Sequence, residues 1–152
     1  MPFDKSKYPE NWTEFSRYIR RERAKNVCEQ CKAPNGETVN RGVLDGEAFW
    51  HDQSSGVIYS AKDGLILGRA RDYELTIDRE TVIVLTVAHL DNDGGVCDCR
   101  AKTGMKCAIE DHVLALCQKC HLALDMPHHI ANRRKTLGAR NDAGRRLFSE
   151  IV

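Results

Sequence analysis

Two cysteine pairs of one spacing, Cys28-x-x-Cys31 and Cys117-x-x-Cys120, stand 85 residues apart and restrict the fold of this chain more than any other feature. Two-residue spacing turns both thiolates of a pair toward one ion, and two such pairs complete a tetrahedron, so a structural Zn²⁺ is the expected occupant. Such an ion ties an N-terminal segment to a C-terminal one, and closing so long a loop is worth on the order of several kcal/mol to folding. All seven cysteines belong in this context, because the opening MPFDKSKYPENW has no apolar segment of export type. A reducing cytosol disfavours disulfides, and the odd count agrees with metal binding. The expected location is therefore cytoplasmic. No run approaches the roughly 18 apolar residues that a membrane span needs, so no membrane partner is expected.

At 152 residues the chain is expected to form a single α+β domain, residues 1–152. Its core is modest for a chain with 30% charged residues, which leaves part of the stabilisation to metal. Trp12, Phe15, Tyr18 and Ile19 share one face of a predicted helix over residues 11–25. Short apolar pieces, Val57-Ile58-Tyr59, Leu65-Ile66-Leu67 and the stretch from Tyr73 to Ile77, predict two or three short strands in an insertion over residues 43–80. The β-branched run 81–88 predicts one strand that delivers His89 at its end. Val113 to Leu116 leads through the second cysteine pair into a helix reaching Asp125, which closes a core over residues 81–126. His128 and His129 read either as extra metal or phosphate ligands or, with Pro127 before them, as a plain helix-starting turn, residues 130–137 as further helical turns, and 138–144 as a glycine-punctuated mobile stretch within a basic tail over 133–152.

Asn11-Trp12, the early Cys28-x-x-Cys31, the strand end Val87-Ala88-His89-Leu90-Asp91, the closing Leu116-Cys117-Gln118-Lys119-Cys120-His121-Leu122 and the nearby His128-His129 together resemble the HNH endonuclease family, especially its phage and bacterial members with a zinc knuckle. The likeness covers most of the chain except residues 43–80. It implies a small zinc-stapled ββα-metal (HNH) nuclease domain with an N-terminal helix and short extra strands, working in the cytoplasm of a bacterial or phage-infected cell. It also implies a metal-dependent DNA endonuclease, in which His89 is the general base that takes a proton from the attacking water. His121 then binds a catalytic divalent cation such as Mg²⁺, Mn²⁺ or Ni²⁺, or the scissile phosphate. Two positions depart from the family. His112 stands where an Asn is usual and is carried over as a catalytic or metal-side residue. Ala88 stands where Asp or His is frequent, which makes Asp91 the nearest carboxylate able to substitute as a ligand.

Cys97-x-Cys99, Cys107 and His112 form a further group, either a second zinc site or ordinary cysteines beside a catalytic imidazole. The near-neutral total charge of +1 hides an uneven distribution. Residues 17–25 hold five bases and one acid, residues 133–146 six bases and one acid, and residues 43–80 eight acids and four bases. Arg133, Arg134, Lys135, Arg140, Arg145 and Arg146 are thus candidate phosphate contacts to double-stranded DNA. The competing expectation is a non-catalytic, zinc-stabilised DNA-binding module on the same HNH scaffold.

Overall fold

The computed structural model describes residues 5–90 and 97–149 as a mixed α+β protein with two antiparallel sheets. Residues up to His121 form one compact unit and those from Leu122 onward another.

In the first unit, Trp12–Tyr18 form α1, which widens into a π-helical turn over Ile19–Arg23. The helix predicted over 11–25 is present but shorter, because Lys25 and Asn26 adopt left-handed φ values of 52° and 59° and turn the chain toward Cys28. Ile19 is fully buried and packs with Ala24, Val113 and Ala115, flanked by Phe15 and Val87. Ile19 and Val113, so enclosed, contribute roughly 1.5–3 kcal/mol each.

A five-stranded sheet follows, built from β1 (Thr38–Leu44), β2 (Glu47–Asp52), β3 (Val57–Ser60), β4 (Ile66–Arg69) and β5 (Ile77–Val82) in the order β4-β3-β2-β1-β5. It begins before the segment in which short strands were expected and is larger than they implied. Asp45 and Gly46, with φ of 50° and 84°, close β1 onto β2 as a two-residue Asp-Gly hairpin whose positive angles match strand twist. The strand expected from Tyr73 starts only at Ile77, because Ala70–Asp72 form a 3₁₀ turn and the Tyr73 hydroxyl donates to the Leu67 carbonyl at 3.2 Å. Alternation places Val39, Arg41 and Trp50 on one face of the sheet, and Phe49 and Ile58, both fully buried, on the other.

The β-branched run 81–88 is two strands, not one. β5 ends at Val82 and β6 (Leu85–His89) belongs to a second sheet. Local bonds fix the corner: Ile83 donates to Glu37 O at 2.8 Å, Leu85 to Asn35 Oδ1 at 2.9 Å and Val84 to Gln118 Oε1 at 3.2 Å, while Gln118 Nε2 donates to Val82 O at 3.0 Å. β6 still ends on His89 and pairs antiparallel with β7 (Val113–Cys117). Between them lies the short α2 (Cys99–Thr103), stopped by Gly104 at φ 73°. β7 runs directly into α3 (Gln118–Ser149).

The second unit is the remainder of α3. Pro127 lies inside this helix rather than starting one, and residues 138–144 are helical rather than irregular. Alanine, leucine, arginine and lysine are good helix formers and carry the helix past both a missing N–H and Gly138. Among the described residues, no helix is long and apolar enough to cross a membrane.

Candidate metal centres

Cys28, Cys31, Cys117 and Cys120 are all buried, and their sulfurs all lie within 4.8 Å of one another. Cys31 Sγ and Cys117 Sγ are 3.7 Å apart, against about 3.8 Å for two sulfurs on tetrahedral zinc. The surrounding chain fixes this geometry. Glu29, between the first two cysteines, donates its N–H to Ala115 O at 2.9 Å and accepts the Ala115 N–H on its carboxylate. Arg23 pairs with that carboxylate at 2.6 Å and also donates to Val113 O at 2.9 Å and Glu110 O at 2.6 Å. The first cysteine pair is thereby held along β7, whose end carries the second. Trp50 Nε1 adds a bond to Cys31 O at 2.8 Å, and the Cys117 N–H points at Cys28 Sγ at 3.4 Å.

Without a cation the four sulfurs must share protons. Bonds from Cys120, Cys28 and Cys31 hold Cys117 far below the usual thiol range. Cys120 and Cys31 are pushed well above it, chiefly by their bonds to Cys117. Cys28, raised by Cys117 and lowered by Cys120 and Cys31, lies at about 6. A divalent ion replaces the shared protons and lets all four sulfurs ionise, so the group could hold a metal such as zinc.

Arg41, on β1, is 4% exposed and places Nη2 3.6 Å from Cys117 Sγ. Among the described residues its Nε and Nη1 have no hydrogen-bond partner. Lys119 in the first turn of α3 is held below its usual range by burial and then by Arg41, against the pull of the Cys120, Cys31 and Cys117 sulfurs. Two cations therefore border this sulfur group.

Cys97, Cys99, Cys107 and His112 form a second group, again with ligand atoms within 4.8 Å of one another. Cys97 Sγ and Cys107 Sγ are 3.4 Å apart, and His112 Nδ1 lies 3.6 Å from Cys99 Sγ and 3.4 Å from Cys107 Sγ. Tetrahedral zinc separates sulfur and imidazole nitrogen by about 3.6 Å. Leu90 N–H donates to His112 O at 2.9 Å and Cys97 N–H to Leu90 O at 2.8 Å, tying the group to the ends of β6 and β7. Cys97 is buried and the other three are half-buried; burial and then Cys97 and Cys99 push Cys107 up to about 12. This group too could hold zinc, which places His112 with sulfurs rather than beside His89.

His89 is 4% exposed, with its ring stacked on Trp12 at 5.0 Å and 22° and its Nε2 3.1 Å from Cys107 O. A carbonyl only accepts, so Nε2 carries the proton and Nδ1 is the basic nitrogen. His121 Nδ1 lies 2.7 Å from the Thr86 hydroxyl. Thr86 and His89 are three residues apart on β6 and so face opposite sides of the β6–β7 ribbon. The structure thus does not gather His89, His112 and His121 around one point. Asp91 lies outside the described residues, and among those described no third group of three or more His, Cys, Asp or Glu ligands assembles.

In the second unit, Arg133, Arg134, Lys135 and Arg140 are exposed, whereas the side chains of Arg145 and Arg146 lie outside the described residues. Arg23, Glu29, Arg41 and Trp50 went unnoticed in the sequence; only the position of Glu29 inside a cysteine pair offered a signal. No family model, curated protein or solved structure matches the chain.

Proposed function

We propose that this chain is an HNH-type endonuclease that hydrolyses phosphodiester bonds of double-stranded DNA, with His89 as the base. The carrying observation is the bond between His89 Nε2 and Cys107 O, which selects the tautomer with a basic Nδ1 and anchors it to a segment that a metal at the second cysteine group would make rigid. In this role Nδ1 takes the proton of the attacking water. A divalent cation such as Mg²⁺, Mn²⁺ or Ni²⁺ would supply charge neutralisation on the phosphate. The described residues do not assemble a full ligand set for it, and His121 is the expected metal-side residue that remains outside the sulfur groups. The exposed bases of α3 would hold DNA phosphates without reading sequence.

A second reading, a zinc-stabilised module that binds DNA without cutting it, is favoured by Ala88, by the placement of His112 among sulfurs, and by the Trp12 ring against His89. Supercoiled plasmid incubated with the chain and Mg²⁺, Mn²⁺ or Ni²⁺ separates the two. Nicking that His89→Ala abolishes supports cleavage, while gel retardation with no nicking at any metal supports binding alone.

A further inference from the structure

A fully ionised four-cysteine centre around a divalent ion carries a net charge of −2, and that charge must be met inside the protein. Arg41 is where this can happen. Its guanidinium is buried, no carboxylate pairs with it among the described residues, and its Nη2 donates to Cys117 Sγ at 3.6 Å. A guanidinium does not deprotonate in a protein, so the buried charge of Arg41 calls for ionised sulfur beside it, and Cys117 Sγ lies 3.6 Å from Nη2. The same β1–β2 hairpin that carries Arg41 also carries Trp50, which bonds Cys31 O, so two adjacent strands of the five-stranded sheet address the two cysteine pairs.

We propose that Arg41 is the charge partner of the metal-loaded Cys28, Cys31, Cys117 and Cys120 centre, and that one task of the five-stranded sheet is to deliver it. This rests on the reading of that group as a zinc site. The ligand class is a divalent, tetrahedral, thiolate-binding ion held with all four sulfurs ionised, and Arg41 acts as a positioning residue through Cys117 rather than as a ligand. Lys119, in the first turn of α3, is a second cation bordering the same sulfurs.

The test is competition between a zinc chelator and the full zinc-loaded chain at fixed pH. Arg41→Met, similar in length but uncharged, is expected to weaken zinc at the four-cysteine centre tenfold or more, and Arg41→Lys to stay within about threefold of the native chain. The Cys97, Cys99, Cys107 and His112 centre, away from Arg41, is expected to be unchanged in both and serves as the internal control. Native-like zinc affinity in Arg41→Met overturns the proposal. Should Arg41→Met not fold, Arg41→Gln and Arg41→Lys, both polar and differing in charge, decide it: Gln at least threefold weaker than Lys upholds the charge role, and equality overturns it. A native chain that takes up no zinc defeats the metal reading itself, whereas native uptake with an indifferent Arg41→Met defeats only the role of Arg41.

Discussion

His89 donates Nε2–H to the backbone carbonyl of Cys107, so a residue whose sulfur belongs to the second cysteine group also fixes the proton on the imidazole that ends β6. Trp12 covers the same ring from α1. Access to His89 is therefore governed by a chain segment that carries sulfur ligands of the second group and by the Trp12 and Tyr8 rings, the latter 6.2 Å away.

Trp12→Ala should expose the imidazole. The half-buried indole gives up part of its packing, at a cost of roughly 2 kcal/mol, below the roughly 3–5 kcal/mol of a fully buried tryptophan. Urea unfolding measures the loss, and diethyl pyrocarbonate modification of His89, followed by peptide mass analysis, should accelerate at least severalfold. Unchanged reactivity would show that the ring contact does not shield His89.

Glu29→Ala removes the acceptor of the Ala115 N–H and the partner of Arg23 together. Leaving both unsatisfied should cost about 3 kcal/mol, and Glu29→Gln, which still accepts from Ala115, about 1 kcal/mol. Thermal unfolding of the two variants should show this order; equal midpoints would mean that the side-chain acceptor for the Ala115 N–H does not matter here.

Gly42→Ala probes the five-stranded sheet. A Cβ there would strike the Thr76 carbonyl and lie 2.9 Å from the Phe49 ring, and neither backbone nor a fully buried ring can yield cheaply. The expected loss is about 3 kcal/mol by chemical denaturation. Gly46→Ala, strained only by its left-handed φ of 84° and with open space around it, should cost about 1 kcal/mol.

Arg133, Arg134 and Lys135, replaced together by Ala, should weaken DNA binding equally for unrelated sequences. The slope of log affinity against log salt should fall by about 0.9 for each residue that contacts a phosphate. A slope identical to that of the native chain would remove this helix segment from the DNA interface.

The group of Cys28, Cys31, Cys117 and Cys120 was legible because spacing alone encodes it: two residues between thiols is a geometric instruction that survives any intervening fold, whereas Cys97, Cys99, Cys107 and His112 lack that spacing and read equally as ordinary cysteines beside an imidazole. His89 at a strand end was legible for a similar reason, since β-branched residues mark strands. What composition could not show was the corner at Ile83 and Val84, where one apolar run feeds two sheets, because the bonds that turn it come from Asn35, Glu37 and Gln118, distant in sequence. β1 escaped notice because its buried positions include Asn40, Arg41 and Gly42, which read as polar or turn residues. Arg41 is buried because of the sulfur centre, and that relationship has no local signature. The Asp45-Gly46 turn was a readable hairpin signal that periodicity around it did not reinforce.

The most direct test of this account is the metal content of the purified, folded chain by native mass spectrometry. The account predicts two zinc ions per chain, the one at the half-buried Cys99, Cys107 and His112 side lost first to chelator and the one among Cys28, Cys31, Cys117 and Cys120 lost only as the fold melts. A chain that stays folded with no metal bound would contradict it.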